Sequence, residues 1–146
     1  MCIRDSPKGY FYQAYKLDGV ALGIYYEDGK LACAGLRPRD GINGEDVTAQ
    51  VRFVAGVPEK LPHKITCSIR GELICKLSDF EKVQKSLTKS GEKLRANPRN
   101  HCAGGIRQFK KPEKTKKMRI SFVAYSIEAL DNPPCLLYTS PSPRDS

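Results

Sequence analysis

The chain has 146 residues, with 25 Lys and Arg against 16 Asp and Glu, and its formal net charge is +9 at pH 7. This length suits about one domain, and the basic balance favours a polyanionic partner, nucleic acid or nucleotide, although a generically basic protein has the same balance. No apolar run approaches the roughly 18 residues of a membrane helix, and no cysteine pair has the C-x-x-C spacing typical of zinc sites. We therefore expect a soluble, cytoplasmic protein with reduced thiols that does not enter the membrane, and we assign no metal-ligating residue.

Both ends of the chain resemble translated adapter DNA. Residues 1–6 (MCIRDS) back-translate to DNA that contains TGTGTATAAGAGACA, and residues 135–139 (CLLYT) back-translate to its reverse complement. Unrelated termini would not share this relation, although a natural Ser/Pro-rich tail is the alternative for the C-terminal end. We therefore expect residues 1–6 and 135–146 to be processing scars, and residues 7–134 to be one incomplete domain.

The first part of the chain predicts two strands on either side of a tight turn. Residues 20–26 and 31–36 are rich in β-forming residues, and the Asp28-Gly29 pair between them is typical of a hairpin turn. The other elements predicted in this part are a strand at residues 10–15, an irregular loop at residues 37–44 and a short helix at residues 45–52.

The rest of the chain predicts helices between two further strands. Ser78 and Glu81 have the spacing of a capping box, so a helix should run from Asp79 to about Lys89 and end near Gly91. The order of strands and helices lacks a regular βαβ alternation, which favours an α+β domain with mixed, largely antiparallel sheets and interspersed helices. The other predicted elements are a strand at residues 65–73, a helix that begins at the turn of residues 97–100 and reaches Arg107, a charged loop at residues 110–117 and a strand at residues 120–127.

The tetrapeptide Lys16-Leu17-Asp18-Gly19 has the clearest chemical meaning. A lysine amine is nucleophilic only when it is neutral, and desolvation or nearby cations lower its pKa. A glycine close to the lysine lets the backbone turn near a ligand, so the arrangement suits attack on a phosphorus atom. The same four residues also fit an ordinary solvated turn at the end of a strand, so they decide nothing alone.

Further motifs favour the chemical interpretation. After KLDGVAL, the chain contains YYEDGKL, GEDVTAQVR, IRGEL, GEKLRANPRN, AGGIRQ and FVAY, in that order. These stretches resemble the bacterial and viral NAD-dependent DNA ligases over nearly all of residues 7–134. The NPRN block followed by Arg107 and Gln108 resembles that family rather than the ATP-dependent ligases or the mRNA capping enzymes. The resemblance implies part of an adenylation domain with the nucleotidyltransferase fold, from an enzyme of DNA replication and repair.

The resemblance also implies a role for each matching residue. Lys16 would attack the α-phosphate of NAD, release nicotinamide mononucleotide and hold AMP through a phosphoramide bond. Asp18 would assist at the AMP and metal end of the site, Glu72 would bind the adenosine ribose, and Tyr125 would stack on adenine. The implied partners are NAD and nicked double-stranded DNA, with Mg²⁺ as cofactor, and the protein would act as a monomer. The other implied nucleotide-binding or phosphate-binding positions are Gly19, Arg37, Arg99 and Arg107.

These residue types suit the same roles without the family. Arginines neutralise phosphate charge, a carboxylate binds ribose hydroxyls, and an aromatic ring stacks on a base. Each also has an ordinary alternative, namely a solvated arginine, a glutamate paired with Arg70, or a tyrosine in the core. The lysine-rich residues 110–119 would either grip DNA phosphates or form a solvated face.

The chain departs from the family at several places, two of which concern the lysine and the first arginine. Ala14 lies two residues before Lys16, where bacterial members usually have Glu, and residues 36–41 are one residue longer than the family's T-R-G-D-G. Arg37 fits the family arginine by its distance from Lys16, and Arg39 is the alternative. Two other functions stay open: an ATP-dependent DNA or RNA ligase, and a basic nucleic-acid-binding protein without catalysis.

Overall fold

The computed structural model describes residues 13–37 and 44–129, which form one antiparallel sheet with helices against it. The sheet has four strands in the order β2-β1-β3-β4, and the three pairings between neighbouring strands are all antiparallel. This confirms the α+β class and the antiparallel character of the sheet. The strands are β1 (Val20–Glu27), β2 (Lys30–Leu36), β3 (Cys67–Ile74) and β4 (Ser121–Ala129), and the helices are α1 (Thr48–Val51), α2 (Leu77–Ser90), α3 (Pro98–Ile106) and a 3₁₀ helix (Pro112–Met118).

The hairpin between β1 and β2 forms as predicted. Asp28 and Gly29 both have positive φ, at 53° and 74°, which is what a two-residue turn between twisted strands requires. The strand predicted at residues 10–15 is wrong where it can be checked, because residues 13–18 are not in a strand, and residues 10–12 lie outside the described range. The predicted loop at residues 37–44 also lies mostly outside the residues that the structure describes.

One face of the sheet carries the core. Every second residue of the central strand β1 is packed inside, and helices α1 and α3 cover this face together with the segment that follows α1. The alternation of a strand therefore turns the intervening residues, including Ala21 and Glu72, to the opposite face. The core comprises mainly Leu22, Ile24, Tyr26, Leu31, Leu36, Val47, Val51, Val54, Cys67, Leu73, Cys102, Ile106 and Ile120.

Helix α2 begins earlier than its predicted cap. Its N-cap is Lys76, in extended conformation and without a side-chain cap bond, so Ser78 already lies in the first turn and the predicted capping box is wrong. Asp79 still stabilises that turn, because a carboxylate there meets the positive end of the helix dipole. The predicted end is confirmed, since Gly91 closes the helix in the left-handed conformation at φ 69°.

The segment predicted as a charged loop at residues 110–117 is instead largely a 3₁₀ helix. Pro112 occupies its first turn, where the missing N–H costs nothing. Two buried contacts fix it to α3: the Thr115 hydroxyl donates to Gly105 O at 3.0 Å, and His101 Nε2 lies 2.8 Å from Met118 O. Local sequence gave no sign of these partners, which lie 10 and 17 residues away along the chain. In the described part of the chain, no helix is both long and apolar enough to cross a bilayer.

Candidate functional site

The loop that carries Lys16 lies directly on β3. Gly19 is buried, and a Cβ at this position would meet the Leu73 carbonyl oxygen at 2.0 Å and Glu72 Cγ at 3.0 Å. Only glycine permits this approach. The backbone N–H of Gly19 also lies close enough to the Glu72 carboxyl to lower its pKa. Lys16 itself is exposed, three residues before this contact. The loop is thus held at its C-terminal end while its lysine stays accessible.

Arg99 reaches the same loop from helix α3. Asn97 caps the helix by accepting the Asn100 N–H at 2.7 Å, and Pro98 follows at the first position, so the start of α3 is well defined. From this first turn, Arg99 Nη1 lies 3.9 Å from Asp18 Oδ1. Both side chains are largely exposed, so the pair contributes little to stability. The pair matters for position, because it places the Arg99 guanidinium beside Asp18, which follows Lys16 by two residues.

Glu72 is half-buried where these elements meet. Burial raises the pKa of its carboxyl, the Gly19 N–H and the Arg99 guanidinium lower it, and the negative charge of Asp18 raises it again. Arg70 makes no ion pair with Glu72, since none of the five ion pairs in the described part of the chain involves either residue. The ordinary alternative of a Glu72–Arg70 pair is therefore wrong. The structure brings Asp18, Gly19, Glu72 and Arg99 together around the lysine loop.

A stability prediction follows from the burial of Glu72. Glu72→Gln should raise the melting temperature at neutral pH, because the amide has nearly the same shape and no charge is buried. The raised pKa means that the folded state binds the proton more tightly than the unfolded state. The ionised carboxylate therefore destabilises the fold above its folded pKa, and this effect disappears as the pH falls below the ordinary value of 4.5.

Thermal unfolding followed by circular dichroism between pH 4 and pH 8 would measure this effect. The gain from Glu72→Gln should be present at pH 8 and shrink to nothing near pH 4. Glu92→Gln, on an exposed loop, is the matched control and should show no such pattern. A gain that grows towards low pH, or an equal gain in the control, would contradict the prediction.

Tyr125 occupies a β-bulge in the edge strand β4. Arg70 pairs with Ser126 and Gly71 pairs with Ala124, so Tyr125 is the extra residue between the two pairs. A bulge redirects a side chain, and such irregularities are frequent beside active sites. Tyr125 is 63% exposed, so it is not the core residue of the ordinary alternative. Two positions before it along β4, Val123 pairs with Glu72.

Arg37 and Arg107 lie further from this group. Arg37 is exposed directly after the end of β2, and its backbone N–H donates to Ala21 O on β1 at 3.3 Å. Ala21 in turn pairs with Glu72 on β3, so one strand separates Arg37 from Glu72. Arg107 is at the C-terminal end of α3, eight residues from Arg99, which corresponds to about 12 Å along a helix. Its guanidinium binds Glu45 Oε2 at 2.5 Å and Ala103 O at 3.0 Å. The structure therefore does not bring the three predicted arginines to one point, and Arg39 lies outside the described residues.

Sequence reasoning missed one contact that positions α3. Glu45 holds Arg107 across 62 residues of chain, a separation that no local pattern reveals. Cys102 is fully buried under the site, and burial raises the pKa of its thiol to about 12, with smaller contributions from Cys75 and Asp18. Cys67, Cys75 and Cys102 are all buried in the core and have free thiols. No group of three or more metal-ligating side chains occurs within residues 13–37 and 44–129.

Comparison with known proteins adds independent information. The family described as "NAD-dependent DNA ligase adenylation domain" matches residues 3–139. Proteins named DNA ligase are similar to the chain: that of Lactobacillus delbrueckii subsp. bulgaricus is 41% identical over 111 residues, covering 76% of this chain and 16% of that protein. Those of Wolinella succinogenes and Halothermothrix orenii are 37% and 36% identical, covering 86% and 87% of the chain and 19% of each relative. The chain thus spans less than a fifth of the length of these curated relatives.

Proposed function

Since this chain belongs to the family of NAD-dependent DNA ligase adenylation domains, we propose that Lys16 is the residue that accepts AMP from NAD. The observation that carries the proposal is the contact of Gly19 with β3, which fixes the loop of Lys16 beside Glu72 and Arg99. On this proposal the whole protein seals nicks in double-stranded DNA, works as a monomer in the cytoplasm, and has the nucleotidyltransferase fold around this sheet.

The proposed reaction starts with the neutral amine of Lys16. Its lone pair attacks the α-phosphorus of NAD, the bond from that phosphorus to the oxygen of nicotinamide mononucleotide breaks, and the nitrogen loses one proton to water. AMP is then held through a phosphorus–nitrogen bond. In the next step an oxygen of the DNA 5′-phosphate attacks the same phosphorus, and the lysine leaves. The 3′-hydroxyl of the nick finally attacks the DNA phosphate and releases AMP.

The neighbours of Lys16 have separate proposed tasks. Arg99, at the first turn of α3, would neutralise phosphate charge as it increases in the transition state. The Glu72 carboxylate would accept hydrogen bonds from the ribose, and the exposed ring of Tyr125 would stack on adenine. Asp18 and Glu72 would also suit Mg²⁺, which is usually held by one or two carboxylates together with substrate phosphates. Bound Mg²⁺ would supply positive charge to the phosphate oxygens.

The experiment that tests the proposal is intact-mass analysis of the whole protein after incubation with NAD and Mg²⁺, and separately with ATP and Mg²⁺. NAD should add the mass of one AMP, and peptide mapping should locate it on Lys16. Labelling by ATP alone would support the ATP-dependent alternative. No adduct with either nucleotide, together with retained DNA binding, would favour a nucleic-acid-binding protein without catalysis.

A second experiment concerns Arg107. For Arg107→Ala we expect AMP transfer to slow at least tenfold, which corresponds to about 1.4 kcal/mol of lost transition-state stabilisation. Glu45→Gln is the matched control, because it removes the charge of the ion-pair partner and keeps the guanidinium. Single-turnover adenylation should therefore be slow in Arg107→Ala and at least as fast as wild type in Glu45→Gln. Equal losses in both variants would show that Arg107 only supports the fold.

A further inference from the structure

Gly71 on β3 and Phe122 on β4 make a close contact on the core side of the sheet, behind the candidate site. Gly71 is buried, and a Cβ at this position would lie under 3.0 Å from two carbons of the Phe122 ring and from the Val123 carbonyl oxygen. The Phe122 ring thus occupies space that any larger residue at position 71 would need. We propose that Gly71 and Phe122 are positioning residues that hold the Tyr125 ring where it stacks on the adenine of NAD.

The contact between Gly71 and Phe122 fixes the register of β4 before its bulge. β4 is at the edge of the sheet, and among the described strands β3 is its only neighbour, so packing against β3 sets its register. Ala124, two residues after Phe122, pairs with Gly71 itself. The other side of Phe122 is also held, because its N–H donates to Ala55 O at 2.8 Å and its carbonyl oxygen lies against Gly56. The first half of β4 therefore cannot slide along β3 without losing contacts on both sides.

The bulge follows this segment directly and carries Tyr125 on the side of the candidate site. Val123 pairs with Glu72, so their side chains point to one face of the sheet, and alternation along β4 turns Tyr125 to that face as well. Diagonal neighbours such as Tyr125 and Glu72 lie roughly 7–8 Å apart, a distance that the base and ribose of one nucleoside can span. Tyr125 forms no ladder pair of its own, so the position of its ring depends on where the preceding residues hold β4.

A larger residue at position 71 should affect NAD binding more than AMP transfer. The clash with the Val123 carbonyl oxygen involves backbone, so β4 itself would have to move away from β3. This movement would carry Tyr125 away from the base, whereas the loop of Lys16 is attached to β3 through Gly19 and would stay in place. The inference rests on the proposed function, because it requires that Tyr125 stacks on adenine.

The test measures the KM for NAD and the single-turnover adenylation rate at saturating NAD in the whole protein. Gly71→Ala should raise the KM roughly tenfold, as for the loss of one base–aromatic stack, and leave the saturated rate close to that of the wild type. Tyr125→Ala has already lost the stack, so adding Gly71→Ala to it should have no further effect on the KM. A merely structural role of Gly71 would instead weaken binding by the same factor with and without the Tyr125 ring.

Gly91→Ala is the matched control. It also replaces a glycine by alanine, and its φ of 69° makes the change destabilising, but nothing lies within 4 Å of the new Cβ. Its melting temperature should fall while its KM for NAD keeps the wild-type value. Phe122→Leu is a milder second variant, because it keeps an apolar side chain and loses the ring. It should raise the KM by a smaller factor than Gly71→Ala, again only while the Tyr125 ring is present.

Three results would overturn the inference: a wild-type KM in Gly71→Ala and Phe122→Leu, an equal increase with and without the Tyr125 ring, or an equal increase in Gly91→Ala. If Gly71→Ala does not fold, Phe122→Leu alone decides.

Equilibrium dialysis of NAD without Mg²⁺ separates the inference from the role of Lys16, because it requires no AMP transfer. An absent adduct, together with NAD binding that depends on both Gly71 and Tyr125, would overturn only the role of Lys16. Wild-type NAD affinity in Tyr125→Ala would overturn the inference, while an adduct on Lys16 would still stand.

Discussion

Lys16→Arg should abolish the covalent AMP adduct in the whole protein while leaving the fold unchanged. Arginine keeps the positive charge and a similar length, but its guanidinium stays protonated at any pH used for the assay and has no free lone pair for attack. Lys16 is exposed and makes no hydrogen bond or ion pair in the described part of the chain, so the replacement removes no stabilising contact. The expected loss is complete within the detection limit of intact-mass analysis.

Lys93→Arg is the matched control for this experiment. Lys93 is also exposed, on the loop before α3, and the same change there should leave the yield of adduct unaltered. The melting temperature of both variants should equal that of the wild type. An adduct of normal yield in Lys16→Arg would rule out Lys16 as the acceptor, and an equal loss in both variants would show that the assay responds to something other than the nucleophile.

Gly19→Ala should be the most damaging substitution of a residue that takes no part in the chemistry itself. The new Cβ would meet the Leu73 carbonyl oxygen at 2.0 Å, and because that atom is backbone, the lysine loop must move away from β3. We expect a destabilisation of about 1–3 kcal/mol, as for overpacked sites. A shift of the loop by about 1 Å would misplace the Lys16 amine, and adenylation should slow by roughly 100-fold.

Gly104→Ala provides the control for Gly19→Ala. Gly104 lies within α3, and a Cβ there would meet only the flexible end of Arg95, at 3.4 Å. Alanine favours a helix over glycine, so the melting temperature should rise, by an amount that corresponds to about 0.5–1 kcal/mol. Denaturant unfolding and single-turnover adenylation would measure both variants. The argument from close approach fails if Gly19→Ala keeps the stability and rate of the wild type.

Local signals predicted those parts of the fold whose partners are close in sequence. The Asp28-Gly29 turn and the stop at Gly91 were predictable because each depends on the backbone freedom of one or two residues. The start of α2 was not predictable in this way. Ser78 and Glu81 have the spacing of a capping box, but the helix already begins at Leu77, after the extended residue Lys76. The 3₁₀ helix was not predicted, because its lysines are typical of a charged loop and the contacts that stabilise it are made with a distant segment.

The sequence indicated which residues belong to the candidate site, but it did not indicate how their side chains are arranged. The family motifs pointed to Asp18, Glu72 and Arg99 separately, and in the structure these three residues lie near one another. They did not predict that Arg107 pairs with Glu45, nor that Tyr125 occupies a bulge, because both facts depend on contacts between distant segments. Whether these residues have the implied roles stays a prediction.

Helix α3 determines how far apart two of the proposed phosphate-binding arginines lie. It carries Arg99 at one end and Arg107 at the other, and its middle is clamped by His101 against the Met118 carbonyl, so it behaves as a rigid spacer. The backbones of these two residues are about 12 Å apart along the helix axis, and their side chains have different partners: Arg99 lies beside Asp18, and Arg107 is held by Glu45. On the proposed function we expect the two arginines to contact different phosphates, one on the nucleotide and one on the DNA. The length of one short helix would then fix the distance between the two substrates.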